Sequence, residues 1–276
     1  MDIEVLVATM GQEDCSLAEK MNIQSAAVIA NQCGRWEYTE SADGKVRMIS
    51  TGTTGVGINR NFALQLAKAD ILLFADDDIT YYDGAMQGVL DAFWQLPEAD
   101  VILFGMDMTR NGAIYEHRGT RTKRAHIWNS MKYGTYRIAV RRQSLLKHNI
   151  CFSTLFGGGC QYGCGEDSIL LCDCFRAGLK VYSHAHVLGT CAKDKSSWFS
   201  GYNEKYFFDR GAMLACAFKR TKHVIKWYYI WKFSQKTELP FLQVIRKTNE
   251  GIRAFRNLKC FENESQKGAT VNEKRL

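Results

Sequence analysis

A chain of 276 residues, 46% hydrophobic and 24% charged with only 2 prolines, is long enough for one large domain with an appendage and apolar enough to bury a core. Those proportions exclude collagen, a disordered polymer and a disulfide scaffold, and the longest apolar run, Ala212 to Phe218, falls far short of the roughly 20 residues that span a bilayer. The formal net charge of +7 comes from the end of the chain: Phe218 to Leu276 holds 14 basic residues against 5 acidic, whereas Met1 to Ala217 holds 22 against 24. Such asymmetry points to an acidic partner for the tail alone.

The first two hundred residues alternate apolar β-branched runs with helical periodicity. Ile3 to Ala8 predicts a strand, Ser16 to Asn22 a short helix, Ala26 to Ala30 and Val46 to Ile49 two further strands, and Ile58 to Lys68 a helix entered through a glycine-rich stretch. Asp70 to Ala75 predicts a buried strand, Asp83 to Leu96 a helix stopped by Pro97, and Val101 to Gly105 another strand. Asp107 to Lys132 reads as polar and irregular, Thr135 to Arg141 as a strand, and Gly157 to Gly165 as a flexible loop. Glu166 to Ala177 reads as a helix stopped by Gly178, with a strand beginning at Lys180. Alternation at this spacing implies an α/β fold with a largely parallel central sheet covered by helices on both faces, whose ligands bind beyond the carboxyl ends of the strands.

The beginning, Met1-Asp2-Ile3-Glu4-Val5, has neither the basic region nor the apolar core of a signal peptide, so a cytosolic location is expected. None of the ten cysteines forms a Cys-x-x-Cys pair, and the expectation is reduced thiols serving mostly as small core residues rather than a zinc site.

Three constellations carry chemistry. Phe74-Ala75-Asp76-Asp77-Asp78 places three carboxylates at the mouth of an apolar strand, a costly arrangement unless a cation neutralises them. Asp76 and Asp78 share one side of the strand and can converge on a divalent ion, and oxygen-only ligands favour Mg²⁺ or Mn²⁺. The alternative is a solvated acidic turn capping the next helix. Gly52 to Gly57 lacks the marks of a P-loop or a dinucleotide fingerprint, but it leads into Arg60-Asn61 in the first turn of a helix. There Arg60 either meets a phosphate or ribose or pairs with one of the aspartates. Finally, Gly163-Cys164-Gly165-Glu166-Asp167 delivers two acids to a helix start, as partners of the helix dipole or as a general base. The loop around Trp198 that follows is aromatic and hydroxyl-rich, suited to stacking on sugar rings, though a lone tryptophan also suits a core.

In this order the motifs resemble family 2 glycosyltransferases of the GT-A fold, over about Asp2 to Gly211, and most closely the bacterial members that build capsular or other cell-surface polysaccharides. The resemblance implies a GT-A-type, Rossmann-like catalytic domain, placed at 1–216; the basic, aromatic composition that follows predicts a helical extension over 217–262, and the polar end a disordered tail over 263–276. It implies a nucleotide-sugar donor, a UDP-sugar above all, and inversion at the sugar carbon. Asp76 would contact the donor ribose or the metal, Asp78 would hold Mg²⁺ or Mn²⁺ at the diphosphate, Asp167 would deprotonate the acceptor hydroxyl, and Glu166 would help bind the acceptor; the aromatic face of Trp198 makes it a further acceptor-binding candidate. Thr9 and Asn31 would line the base pocket, with Arg60 on the donor; Asn31 stands where the family usually has an acid. Many relatives supply a late histidine to the metal, and His186 is the nearest candidate, a few residues early.

The tail combines aromatic residues from His223 to Phe233 with lysines around them, and Phe241, Ile245, Ile252 and Phe255 recur on a stripe flanked by arginines and lysine. That pattern suits a segment lying on an anionic membrane, on the inner face of the cell membrane if the acceptor is lipid-linked; alternatively the aromatics pack onto the catalytic domain. No nucleic-acid-binding module accompanies the charge. Two rivals to a transferase are a carbohydrate-binding protein on a degenerate version of the fold and a sugar-nucleotide nucleotidyltransferase. The second needs a basic residue that Thr9-Met10-Gly11-Gln12 lacks.

Overall fold

The structure, a computed structural model, describes residues 1–119, 121–192, 201–257 and 259–261. In chain order its elements are β1 (Ile3–Met10), α1 (Leu17–Lys20), β2 (Ala26–Gln32), β3 (Glu37–Glu40), β4 (Val46–Thr51), α2 (Val56–Leu66), β5 (Ile71–Asp76), β6 (Ile79–Tyr81), α3 (Ala85–Gln95) and β7 (Val101–Arg110). They continue with β8 (Ala113–Arg118), β9 (Lys123–Arg124), α4 (Ile127–Ser130), β10 (Ile138–Arg141), α5 (Arg142–Lys147), α6 (Glu166–Arg176), β11 (Val181–Ala192), α7 (Glu204–Ala217), α8 (Lys222–Ser234) and α9 (Phe241–Phe255). These divide into two units, Met1–Thr154 with Glu166–Ser197 and Leu155–Gly165 with Trp198–Leu276.

The first unit is built on one sheet in the order β3-β4-β2-β1-β5-β10-β7-β11-β6, with β8 paired to β7 and β9 to β11. Strands β4, β2, β1 and β5 run parallel, as do β7 and β11, while β3, β6, β8, β9 and β10 pair antiparallel. The apolar runs of β1 and β5 follow from this position, because a strand inside a parallel sheet is buried on both faces. Val5, Val7, Ile71, Leu73 and Ala75 point to the face covered by Ala85, Val89, Ala92 and Phe93 of α3. Leu6, Leu72 and Phe74 point to the opposite face, beside Ala63 of α2 and Leu170, Leu171 and Cys174 of α6.

The outer part of the sheet departs from expectation. The segment beginning at Asp107 is not irregular: β7 continues to Arg110 and turns back through Asn111 and Gly112 into β8. Both turn residues have positive φ, 50° and 76°, the geometry that an Asn-Gly pair supplies in a two-residue hairpin. Thr135–Arg137 is a 3₁₀ turn, and only Ile138–Arg141 is strand, running antiparallel between β5 and β7. The strand beginning near Lys180 extends to Ala192, with irregular register against β7 between Ser183 and Thr190. All ten cysteines are free, but fewer are core residues than expected: Cys172, Cys174 and Cys191 are buried, while Cys151 and Cys260 are exposed.

The second unit is helical. Asn203 caps α7 by accepting a hydrogen bond from the Tyr206 amide (2.9 Å). Gly211 of α7 faces the Thr248 carbonyl of α9, and Gly251 of α9 faces the Phe208 carbonyl of α7, so a side chain at either glycine would strike backbone. This close crossing buries Val244 and Ile252 of α9. The buried Lys247 ammonium is held by Glu204 (2.9 Å) and Glu250 (3.4 Å). Burial of Asp209 raises its pKa; its carboxylate accepts from the Gly163 amide (2.8 Å) and pairs with Lys205. Gly165 has φ +108° beside Met213, which only glycine accommodates. Among the described residues no helix is long and apolar enough to cross a membrane.

Candidate active site

The carboxyl ends of β1, β2, β4 and β5 lie side by side, with Thr9 level with Asn31, Asn31 with Ser50, and Ala8 with Asp76. Helix α2 starts at this end of the sheet. Gly55 before it has φ 103°, and the Gln32 side chain holds the entry loop by donating to the Gly55 carbonyl (3.2 Å) and to Thr53 (3.3 Å). Buried Asn59 donates to the carbonyls of Thr9 (3.1 Å) and Ala30 (2.8 Å), fixing the first turn of α2 against β1 and β2. Asn61 exchanges two hydrogen bonds, each 2.9 Å, with the backbone of Phe152.

Arg60 projects from that same turn into the acids. One guanidinium nitrogen donates to Asp76 Oδ1 at 2.6 Å and another to Glu166 Oε1 at 3.1 Å, with Phe152 beneath, 5.3 Å from the guanidinium. Burial opposes the Arg60 charge, but Asp76 and Glu166 more than offset it and hold its pKa above the ordinary value. The carboxylates outnumber this cation. Asp77 accepts from the Thr9 hydroxyl (2.6 Å), and Asp78, in the turn between β5 and β6, has the Cys191 thiol 3.6 Å from Oδ2. Lost hydration and the neighbouring Asp76 charge push Asp78 up to about 6.

Several of the sequence-predicted residues meet here, though not all as expected. Arg60, Asp76 and Glu166 form one bridge, so Arg60 takes the carboxylate-pairing alternative, and Glu166 is tied through it to Asp76 at the end of β5. Asp167, next on α6, is half-buried and accepts from the Ser168 amide. Thr9 is buried at the end of β1, its hydroxyl on Asp77. Asn31 is wholly buried, and both its amide hydrogens are used, on the Gln12 carbonyl (2.8 Å) and Ser50 (2.9 Å). Its oxygen accepts from the Gln12 amide (2.9 Å), so it shapes the loop after β1 rather than presenting a free edge.

His186 is not brought to the aspartates. It sits five residues before Cys191 on β11, with Nε2 3.2 Å from the Ala85 carbonyl and its ring filling the space above Gly88 of α3. At about 3.3 Å per strand residue that separation puts a metal shared with Asp78 out of its reach. Trp198 lies outside the described residues.

Sequence reasoning missed two features of this end of the sheet. Asp107, buried on β7, accepts from the Tyr82 hydroxyl and from His117 Nδ1, both at 2.9 Å. Trp36, following β2, is 65% exposed and stands edge-on to Phe62. The signal for the first was the Asn-Gly turn that folds β8 over β7.

The donor set fits a hard divalent cation. Among the described residues no three His, Cys, Asp or Glu side chains group as a metal site. Magnesium and manganese at a diphosphate take only one or two carboxylates from protein, however. Crowded Asp76 and Asp78, with one cation shared between Asp76 and Glu166, leave negative charge that such an ion would neutralise.

The family model described as glycosyl transferase family 2 matches residues 34–156. Among solved structures, S. aureus TarS residues 1–349 in complex with UDP-GlcNAc is similar with a TM-score of 0.63 at 15% identity, covering 92% of this chain and 82% of that one. The same fragment in complex with UDP gives 0.57 at 14%, covering 92% and 83%. The longer S. aureus TarS structure gives 0.56 at 14%, covering 92% and 50%. At these identities the likeness is one of fold, the GT-A-type α/β architecture. No curated protein matches the chain at a significant level.

Proposed function

Taking this chain as a glycosyltransferase of family 2, matched over residues 34–156, we propose that it transfers a sugar from a UDP-sugar to a glycan or lipid-linked acceptor, with inversion and with Mn²⁺ or Mg²⁺. The product would serve surface-polysaccharide synthesis. One observation carries the proposal. Arg60 joins Asp76, at the end of β5, to Glu166, which lies 90 residues further along the chain and directly before Asp167. A donor-side carboxylate and a candidate base are thereby held in one frame. The likeness to TarS, whose structures hold UDP-GlcNAc and UDP, supports a uridine nucleotide.

The chemistry follows from that frame. The acceptor oxygen attacks the anomeric carbon as the bond to the diphosphate breaks, and Asp167 takes the hydroxyl proton, so no covalent intermediate on the protein is needed. Arg60 orients Glu166 and the first turn of α6, which sets the direction of the Asp167 carboxylate. Asp76 and Asp78 would hold the metal, which supplies Lewis-acid stabilisation of the departing diphosphate. Thr9 and Asn31 shape the nucleotide side by fixing the Asp77 turn and the loop at Gln12.

Asp167→Asn tests the base directly. Transfer falls about 10²–10⁴-fold, the range for losing a general base, while the UDP-induced rise in melting temperature persists. Undiminished transfer would remove Asp167 from the reaction.

A further inference from the structure

The two tail helices have similar sequence character but opposite surroundings. Helix α9 buries Val244 and Ile252 where it crosses α7 and leaves Phe241 and Leu242 exposed in its first turn. Helix α8 instead uses Ile225, Tyr229 and Ile230 to pack inward, with the buried Lys226 ammonium donating to Asn249 (2.9 Å). Its outward face then carries Val224, Trp227, Tyr228 and Trp231, spaced i, i+3, i+4 and i+7 on one stripe. These side chains are 75%, 51%, 54% and 68% exposed, an apolar patch far from normal scattered exposure. The borders are basic: exposed Lys219, Arg220 and Lys232 and half-buried Lys222 surround it. Lys226 Nζ lies 4.7 Å from the centre of the Trp227 ring and Lys232 Nζ 5.6 Å from that of Tyr228. From Arg210 to Thr237 there are seven lysines and arginines and no acidic residue.

We propose that this face of α8 docks on an anionic lipid bilayer. Tryptophan and tyrosine favour the boundary between headgroups and acyl chains, where an apolar ring body and a polar tip are both satisfied. Lysines at the rim extend their stems along the apolar surface and place their charges among the phosphates. An acid-free stretch meets a negative surface potential without like-charge repulsion. An acidic protein would satisfy the rim and leave four large apolar side chains in water unless it brought a matching groove. The inference rests on the surface of the helical unit alone and stands whether or not the proposed reaction is correct.

The test is flotation of the full chain with vesicles of phosphatidylcholine containing about 30% phosphatidylglycerol, beside vesicles of phosphatidylcholine only. The expected result is binding to the anionic vesicles that weakens as salt rises and falls about tenfold or more in the double variant Trp227→Ser/Trp231→Ser. Both residues are exposed, so the variant keeps its circular dichroism and melting temperature. Absence of binding, or binding that the double variant leaves unchanged, would overturn the proposal. Self-association abolished by the variant without vesicle binding would also overturn it, assigning the face to a second copy. The UDP-induced melting shift, measured on the same samples, reports the donor site separately.

Discussion

The two ends of the parallel sheet each hold a buried arginine among acids, and they treat it differently. At the amino end Arg47 pairs with Glu4, donates to the Leu66 carbonyl (2.7 Å), and Glu4 also accepts from the amides of Lys68 and Ala69 (2.6 and 3.0 Å). Charges there balance one to one and hydrogen bonds complete the set. At the carboxyl end Arg60 is divided between Asp76 and Glu166, with Asp77, Asp78 and Asp167 close by in sequence. A balanced pair needs no ligand to be stable. An acidic surplus held in a folded scaffold stores repulsion that a cationic ligand relieves, which marks the carboxyl end as the place where something binds.

Breaking the balanced end has the largest effect expected. Arg47→Met leaves Glu4 charged and buried, and unfolding by denaturant should show a loss of about 3–5 kcal/mol, with the nucleotide-induced shift of the folded fraction retained. A loss below 1 kcal/mol would mean that the amides alone satisfy Glu4. Arg60→Lys acts at the other end. A lysine cannot span two carboxylates as the planar guanidinium does, so kcat should fall about 10–100-fold. The Mn²⁺-induced rise in melting temperature should grow, because Asp76 is freer to take the ion. A smaller Mn²⁺ shift in this variant would show that Arg60 organises the metal site rather than competing for it.

The smallest effect is in pH. With a folded pKa of about 6 against an ordinary 3.8, Asp78 binds more proton in the fold than in the unfolded chain between those values. Metal-free protein therefore gains stability from this group as pH falls from 7 towards 5. Metal binding runs the other way, since only the ionised carboxylate ligates, and Mn²⁺ affinity should drop about fourfold from pH 7.5 to 5.5. Isothermal titration of the wild type and of Asp78→Asn separates this group from the rest. Equal pH slopes in the two would detach Asp78 from the ion.

Much of this was legible in the sequence because the parallel strands are buried on both faces and write continuous apolar runs. The acids of the site stood out against them at the end of β5 and the start of α6. What was not legible is exposed or depends on distant contacts. Strand β3, Glu-Tyr-Thr-Glu, is polar because it lies at the sheet edge, and every residue of β8 from Ala113 to His117 is exposed. The Asn111-Gly112 turn was the available signal for β8. The role of Asn31 depends on Gln12 and Ser50, each 19 residues away, and the close packing of α7 with α9 depends on Gly211 and Gly251, whose neighbours no local pattern reveals. His186 shows the limit of motif spacing: a few residues along a strand moved it from the aspartates to the back of α3.

The most direct measurement is the melting temperature of the full chain with UDP, GDP, CMP and dTDP, each with Mn²⁺ and with EDTA. The expected result is a metal-dependent rise with UDP above the other three, corresponding to about 2.7 kcal/mol at one hundred times the dissociation constant. A chain that melts at the same temperature with all four nucleotides, with or without metal, would contradict a donor site at the carboxyl end of the sheet.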